Sequence, residues 1–135
     1  ATGQGVCPDG WHLPTHAEWT QLGNYLTDNG YGYGGSGGDI GKALAATSGW
    51  NTSGTAGDVG NDQSSNNSSG FSALPAGLRF YNGIFSDAGS HAYWWSATEF
   101  FASSAWLRYL LYSDSSVGRS GYAKSYGISV RCLKD

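Results

Sequence analysis

The two cysteines of this chain, Cys7 and Cys132, lie near opposite ends of its 135 residues. Neither occurs in a Cys-x-x-Cys or Cys/His pattern, so the sequence gives no indication of a zinc site. The pair is either a disulfide or two buried free thiols, and the secreted type of composition favours the disulfide. On the chain-entropy model, a bridge closing so long a loop would stabilise the fold by about 4–5 kcal/mol.

The start of the first helix has a clear local signal. Thr15 and Glu18 form a Ser/Thr-x-x-Glu capping box, and apolar residues follow at helical spacing at Trp19, Leu22 and Leu26. The pattern predicts a helix over residues 16–26. However, the chain has 22 glycines, which favours a loop-rich domain with short strands over a helical bundle.

A second, shorter helix is predicted over residues 40–46, with Asp39 as its N-cap and Lys42 exposed to solvent. A glycine-rich loop over residues 31–38 precedes it. A long loop over residues 52–69 follows and consists almost entirely of small polar residues. Loops of this length are usually functional or held by a specific contact.

Short strands are predicted for the remaining chain. Tyr81-Asn82-Gly83 indicates a hairpin turn, because Asn-Gly favours the tight turns that connect antiparallel strands. Further strands are predicted over residues 93–96, 105–112, 115–120 and 128–132. Two helices followed by a small antiparallel sheet predict an α+β fold, with one domain over residues 1–135.

The charge and apolar patterns exclude two classes of protein. The formal net charge is −3 and no basic run occurs, so the footprint of a nucleic-acid-binding protein is missing. No apolar stretch reaches the length of a membrane span, and the start of the chain lacks the features of a secretory signal peptide. The chain is therefore not expected to span a membrane.

Four long segments, taken in their order and spacing, resemble one bacterial family. They are residues 7–15 (CPDGWHLPT), 70–77 (GFSALPAG), 93–99 (YWWSATE) and 126–132 (YGISVRC), with Glu18-Trp19 after the first. The chain is similar over essentially its whole length to the Fibrobacter succinogenes major paralogous domain family.

This resemblance implies a C-type-lectin-like fold, related to formylglycine-generating enzymes and to phage-type variable receptor binders. It also implies a secreted or cell-surface protein of the Bacteroidetes and Fibrobacteres group. Family members carry a β-rich stretch before the motif that begins at Cys7, whereas only six residues precede it here. The chain is therefore expected to be a fragment, or to receive its first strand from a neighbour in self-assembly.

The residues give no support for an enzyme. The formylglycine-generating relatives use a redox-active cysteine pair, whereas the two cysteines here are expected to be structural. His12, His16 and His91 are isolated from any nucleophile motif, and Glu99 has no evident carboxylate partner across a cleft. We expect a non-catalytic protein without a cofactor.

Calcium is the one metal that the sequence leaves open. The tripeptides of sugar-binding C-type lectins, Glu-Pro-Asn and Gln-Pro-Asp, are absent. One loop does offer several oxygen ligands of the type that calcium prefers, at Asp58, Asn61, Asp62 and Asn66. A solvated polar loop is the favoured interpretation of the same residues.

The predicted ligand-binding surface is aromatic and basic and lies between residues 100 and 124. Tyr, Trp and Arg are enriched at binding hot spots, and the phage-type relatives bind ligands through the same stretch. Strand alternation predicts an outward-facing Arg108, with Leu107 buried. The predicted contact residues are Phe100, Phe101, Arg108, Tyr112, Arg119, Tyr122 and Lys124.

These observations lead to an extracellular or cell-surface binding or adhesion module for a glycan or protein ligand. A structural subunit of a bacterial surface filament or matrix is the alternative, and a residual enzyme is a third. A competing location for the ligand is the polar loop over residues 52–69, with Phe100 and Phe101 in the core.

Overall fold

A computed structural model describes residues 5–35 and 37–135, so residue 36 of the predicted glycine-rich loop lies outside the described part. The described residues have an α+β architecture, as expected. The helices are α1 (His16–Asp28) and α2 (Gly41–Leu44), and a 3₁₀ turn spans Gln63–Ser65. The strands are β1 (Trp11–His12), β2 (Leu78–Arg79), β3 (Phe85–Ser86), β4 (His91–Phe101), β5 (Ser104–Leu111), β6 (Gly118–Ala123) and β7 (Leu133–Lys134).

The strands form three antiparallel sheets. The largest has the order β4-β5-β6, and two-stranded sheets pair β1 with β7 and β2 with β3. The β2–β3 pair is the hairpin predicted around Asn82-Gly83. None of the described helices is long and apolar enough to cross a bilayer.

Helix α1 begins where the sequence predicted. The Thr15 hydroxyl accepts a hydrogen bond from the Glu18 amide, and the Glu18 carboxylate accepts one from the Thr15 amide. This capping box satisfies amides that the first turn leaves without helical partners. The helix runs two residues beyond the predicted end, and Asn29 then closes it with its backbone and side-chain N–H groups on the Tyr25 carbonyl.

Helix α2 differs from its prediction. It spans only Gly41–Leu44, its N-cap is Ile40 without a side-chain hydrogen bond, and Asp39 does not cap it. Lys42 is buried, with 6% of its surface exposed, so the expectation of an exposed lysine is wrong. Lys42 is buried because its ammonium donates to backbone carbonyls of the following loop. At Gly41, an added Cβ would lie 2.8 Å from the Ser115 carbonyl oxygen, so α2 packs closely there.

The three-stranded sheet is covered on both faces. On one face, Leu110 of its central strand packs with Trp94 and with Trp19 of α1 in the larger core cluster. On the other face, Leu107 packs with Tyr93 and Leu78 in a second cluster. Both leucines of β5 are fully buried. The sheet therefore has no freely solvated face along its central strand, and this changes where the predicted residues lie.

The chain end also differs from its prediction. Residues 128–132 do not form a strand, although Ser129 makes a parallel bridge to Trp94 and accepts the Trp95 N–H at 3.1 Å. The pairing strand is β7, one residue beyond Cys132. Likewise β6 begins later than predicted, because Ser116 turns the chain by bonding its N–H and hydroxyl to the Asp114 carboxylate.

The predicted disulfide is confirmed. Cys7 and Cys132 are bonded, with their Cα atoms 5.8 Å apart and 125 residues of sequence separation. The bridge lies beside the β1–β7 sheet, which pairs Trp11 with Lys134 and His12 with Leu133. Both ends of the described chain are therefore held together covalently and by a short sheet.

Candidate functional site

Four ring-bearing side chains form a continuous row on one side of the three-stranded sheet. The ring centroids lie 4.5 Å apart between His16 and Trp106, 4.6 Å apart between Trp106 and Phe100, and 4.5 Å apart between Phe100 and Phe101. Exposure rises along the row, from the half-buried His16 and Trp106 to Phe101, which is 68% exposed. We call these four residues the aromatic row.

Local strand geometry places the row. The pairing of β4 with β5 shifts register twice between Trp95 and Phe101, so the end of β4 departs from regular alternation. Gly121 of β6 lies opposite Trp106 in the sheet. A Cβ added at Gly121 would lie 2.2 Å from the ring of Phe100, so this ring rests directly on the backbone of β6. A glycine is required there for the row to form.

Arg108 does not face outward, so this part of the prediction is wrong. The side chain is 5% exposed and reaches α1 from the sheet. Its guanidinium donates to the His16 carbonyl at 3.1 Å, the Thr20 hydroxyl at 3.0 Å and His16 Nδ1 at 3.2 Å. Central strand β5 is covered on both faces, and the guanidinium is buried because α1 supplies polar partners for it. Arg108 therefore supports the row from beneath.

His16 is held in one tautomer by this contact. An arginine can only donate, so His16 Nδ1 must accept, and the ring proton is on Nε2. Burial, followed by the charges of Arg108 and Arg119, lowers the pKa of His16 below its usual value. The imidazole is therefore neutral at pH 7 and carries one N–H donor next to Trp106.

Arg119 adds an exposed cation beside the row. It lies directly opposite Arg108 in the β5–β6 register, so both side chains project from the same face of the sheet. In the described part of the chain, no carboxylate lies within ion-pair distance of either guanidinium. Two neighbouring cations thus share one side of the site without an acidic partner.

The structure separates the remaining predicted residues. Lys124 is exposed directly after the end of β6, where it pairs with Glu99 and donates to the Ala102 carbonyl at 3.1 Å. Tyr112 is half-buried against the larger core cluster. Tyr122 is on the opposite face, within the second core cluster. Three of the seven predicted residues, namely Phe100, Phe101 and Arg119, therefore meet at the aromatic row.

Two residues of the row were not predicted as ligand contacts. Trp106 occurs in the same stretch as the predicted residues and precedes the buried Leu107, but it is not among the predicted contacts. His16 was noted only as a histidine outside any catalytic motif. The available signal for His16 was its position at the start of α1, but nothing local predicts that β5 lies beneath it.

The four weak calcium candidates surround a cation that the protein itself supplies. The buried ammonium of Lys42 donates to the backbone carbonyls of Asp58 at 3.4 Å, Asp62 at 3.2 Å and Asn61. Burial lowers the pKa of Lys42, while the charges of Asp62 and Asp58 oppose that effect. Lys42 therefore gathers the carbonyl oxygens of this loop around its own positive charge.

The side chains of these candidates make internal hydrogen bonds. Asp58 accepts from the Ser53 hydroxyl at 2.6 Å, and Asp62 accepts from a serine two residues later. Asn61 donates to the Ser53 carbonyl, and Asn66 donates to two buried carbonyls. Across residues 5–35 and 37–135, no group of three or more His, Cys, Asp or Glu side chains could hold a metal ion.

The competing loop over residues 52–69 also borders a concave region. A cleft of about 370 Å³ lies between this loop and the glycine-rich loop, and it is lined by Tyr31, Tyr33, Ser65 and Ser68 among others. Lys42 is at its base. The described lining of the cleft has aromatic and hydroxyl groups, and the Lys42 ammonium there is occupied by the loop carbonyls.

The other two histidines have structural partners. His12 contacts Asp135 and Glu18 through its two ring nitrogens, at 2.6 Å and 3.0 Å. His91 contacts the Ser90 hydroxyl at 2.9 Å and stacks on Tyr93. Both thiols are in the disulfide.

Comparison with known proteins identifies a family. The family model described as Fibrobacter succinogenes major domain matches residues 1–134. No curated protein and no solved structure match the chain.

Proposed function

The chain belongs to the Fibrobacter succinogenes major domain family, and on that premise we propose that it is a non-catalytic binding or adhesion module for a glycan or protein ligand. The proposed contact surface is the aromatic row with Arg119 beside it. The observation that carries the proposal is the chain of ring contacts from His16 to Phe101, which ends on the most exposed of the four rings.

The physical properties of the surface support binding. Aromatic and arginine side chains give large contact areas with few rotatable bonds, and they dominate many interfaces. Trp106 is fixed between His16 and Phe100, and Phe100 rests on the Gly121 backbone. A ligand that docks on such rings loses little side-chain entropy on the protein side. Flat rings also suit the apolar faces of sugars.

We further propose a secreted or cell-surface location and a C-type-lectin-like fold. A disulfide joining the two ends is typical of proteins that fold in oxidising compartments. Two helices and short antiparallel strands, enclosed by a β1–β7 sheet that joins the two ends, are compatible with the lectin-like arrangement. The relation to formylglycine-generating enzymes stays a prediction of the sequence.

A non-catalytic role is part of the same proposal. Its support is that the groups most suited to catalysis are committed to structure. The two thiols form one disulfide, and each histidine has polar partners that fix its position. Glu99 pairs with Lys124 at the surface.

The proposal is tested by screening the purified chain on a glycan array and against surface proteins, followed by variants measured against each captured ligand. Phe101→Ala removes the exposed end of the row without touching the core, and Gly121→Ala displaces Phe100. Both should weaken capture by about tenfold or more, since hot-spot residues contribute about 2 kcal/mol or more. Gly23→Ala in α1 is the matched control, because it lies outside both candidate surfaces and a Cβ there makes one ordinary contact, 3.9 Å from Ile40.

Circular dichroism must show that every variant is folded. A shortened 52–69 loop forms the opposing arm of the experiment. If shortening this loop abolishes capture while Phe101→Ala and Gly121→Ala leave it intact, the ligand binds at the cleft beside Tyr33 and the proposed surface is wrong. If no glycan and no protein is captured, the binding function itself is wrong.

A structural subunit of a surface filament or matrix is the second candidate, and one observation favours it. The β2–β3 hairpin exposes three large side chains, Tyr81, Ile84 and Phe85, each between 60% and 78% exposed. Sedimentation of the purified chain at increasing concentration would show self-association, and Phe85→Ser with Ile84→Ser should abolish it. The predicted donation of an N-terminal strand by a neighbour stays a prediction.

A further inference from the structure

We infer that the ligand of the aromatic row is an acidic sugar, bound through a carboxylate at Arg119 and the His16 Nε2–H while its ring stacks on Trp106 and Phe100. The inference rests on the proposed binding function and adds the chemical class of the ligand. It follows from the charge, the hydrogen-bonding polarity and the shape of the site, taken in turn.

The charge of the site is unbalanced. Arg108 is a buried cation whose hydrogen-bond partners are all neutral, and Arg119 lies opposite it in the sheet. Burying a charge without an opposite charge is costly, and a neighbouring like charge adds to that cost. In the part of the chain that the structure describes, neither guanidinium has a carboxylate within ion-pair distance. An anionic ligand beside Arg119 would supply the missing negative charge.

The acids nearest to the site in sequence are engaged elsewhere. Asp114, the nearest to Arg119, accepts hydrogen bonds from the N–H and hydroxyl of Ser116. Glu18 of α1 bonds His12 through one oxygen and the Thr15 amide through the other. Glu99 of β4 pairs with Lys124, which directly follows β6. None of these carboxylates therefore neutralises Arg119, although the whole chain has a net charge of −3.

The polar groups of the site are donors. Arg119 offers only N–H groups, and the contact from Arg108 leaves His16 with its proton on Nε2. A planar carboxylate matches a guanidinium and accepts two parallel hydrogen bonds, which is a stronger arrangement than a hydroxyl can form. A neutral sugar would receive hydrogen bonds but would leave the two cations unbalanced.

The aromatic side chains beside Arg119 favour a ligand that carries a ring next to its anionic group. Trp106 and Phe100 meet edge to face at an interplanar angle of 84°, and Phe100 meets Phe101 at 73°. Successive rings are thus steeply inclined to one another over a short span beside Arg119, and Phe100 and Phe101 are 37% and 68% exposed. A hexuronate carries its carboxylate at the edge of a ring with apolar C–H faces, so one residue can use both features. A polyanion such as nucleic acid would need a basic stripe, which this chain lacks.

The experiment uses calorimetric titration of the whole chain with trisaccharides of galacturonate, glucuronate and mannuronate, each with its neutral counterpart. At least one acidic trisaccharide should bind about 10- to 100-fold more tightly than its neutral counterpart, as expected for hydrogen bonds to a charged group. The advantage should shrink in high salt, because the charges are partly exposed. Arg119→Gln should remove it.

Arg79→Gln is the matched control, since Arg79 is an exposed arginine on β2, away from the row. His16→Phe should reduce the acidic preference less than Arg119→Gln, because it keeps a ring and removes one neutral donor. A sulfated trisaccharide without carboxylate distinguishes the two kinds of acidic sugar. If it binds more tightly than every uronate, the carboxylate assignment is wrong.

The inference fails if no uronate exceeds its neutral counterpart by threefold, or if Arg119→Gln leaves the preference unchanged. The proposed function has a separate outcome. Neutral sugars or proteins that lose affinity in Phe101→Ala would support binding at the row while overturning the acidic-sugar assignment. If Phe101→Ala alters the affinity of no captured ligand, the surface itself is not the binding site.

Discussion

The Nδ1 atom of His12 lies 2.6 Å from the carboxylate of Asp135, although 123 residues separate them along the chain. The other ring nitrogen lies 3.0 Å from the Glu18 carboxylate. Both nitrogens therefore face carboxylates, and the protonated imidazole is the form that can donate to both. These two hydrogen bonds, first to Asp135 and then to Glu18, raise the pKa of His12 above its usual 6.5.

We predict that this contact makes stability depend on pH. A pKa raised by folding means that the native state binds the proton more tightly than the unfolded chain does. The stabilisation is fully present below about pH 6.5 and is lost as the pH rises through the folded pKa of His12. Urea unfolding between pH 5.5 and 9 measures it. The difference between the parent chain and His12→Gln should shrink with rising pH, and a constant difference would contradict the prediction.

Removing the capping box of α1 should lower the free energy of unfolding. Thr15→Ala removes the hydroxyl that accepts the Glu18 amide, and such substitutions cost about 0.5–2 kcal/mol. Thermal and urea unfolding measure the loss. Thr52→Ala, in the exposed polar loop, is the matched control and should change stability little. Equal unfolding curves for the two variants would show that the capping box does not stabilise the fold.

The buried lysine predicts a second, local loss. Lys42→Met keeps the length of the side chain but leaves the Asp58, Asn61 and Asp62 carbonyls without their common donor. The expected cost is about 1–3 kcal/mol, as for unsatisfied buried polar groups. Amide exchange should accelerate first in residues 58–66. Lys134→Met, on exposed β7, is the control. Unchanged exchange in Lys42→Met would mean that the loop is ordered without the hydrogen bonds from Lys42.

The disulfide predicts a global loss. Reduction, or replacement of Cys7 and Cys132 by serine, should lower the free energy of unfolding by about 2–5 kcal/mol, because the unfolded chain regains the freedom that the closed loop removes. Unfolding in urea with and without a reducing agent measures this. The double-serine variant should be insensitive to the reducing agent, and any remaining sensitivity would assign the effect to something other than the disulfide.

The sequence predicts the fold wherever a local signal and a burial pattern agree. Thr15 and Glu18 are three residues apart, so their capping box depends on nothing distant, and α1 begins at the predicted residue. Lys42 is the opposite case. Its charge predicts exposure, but the carbonyls that justify its burial come from residues 58–62, and no local pattern indicates that contact.

The same distinction separates the predicted site residues. Phe100, Phe101 and Arg119 follow from composition, because aromatic and basic side chains concentrate in the last third of the chain. Arg108 was assigned to the surface because alternation along a strand normally gives one solvated face. Here α1 covers that face and offers the His16 carbonyl and the Thr20 hydroxyl to the guanidinium. A contact between residues 92 positions apart is a property of the packed helix and sheet.

The bond between Cys7 and Cys132 also decides how the protein responds to mechanical load. If one end is attached to a surface and the other is pulled, tension passes through the covalent bridge and leaves the residues between the cysteines unstretched. β7 and Asp135 lie beyond Cys132, so the pairing of β7 with β1 and the contact of Asp135 with His12 break first under load. The disulfide then limits any further extension. The aromatic row lies entirely inside the closed loop. Tension applied to the two ends therefore leaves this proposed binding surface undeformed.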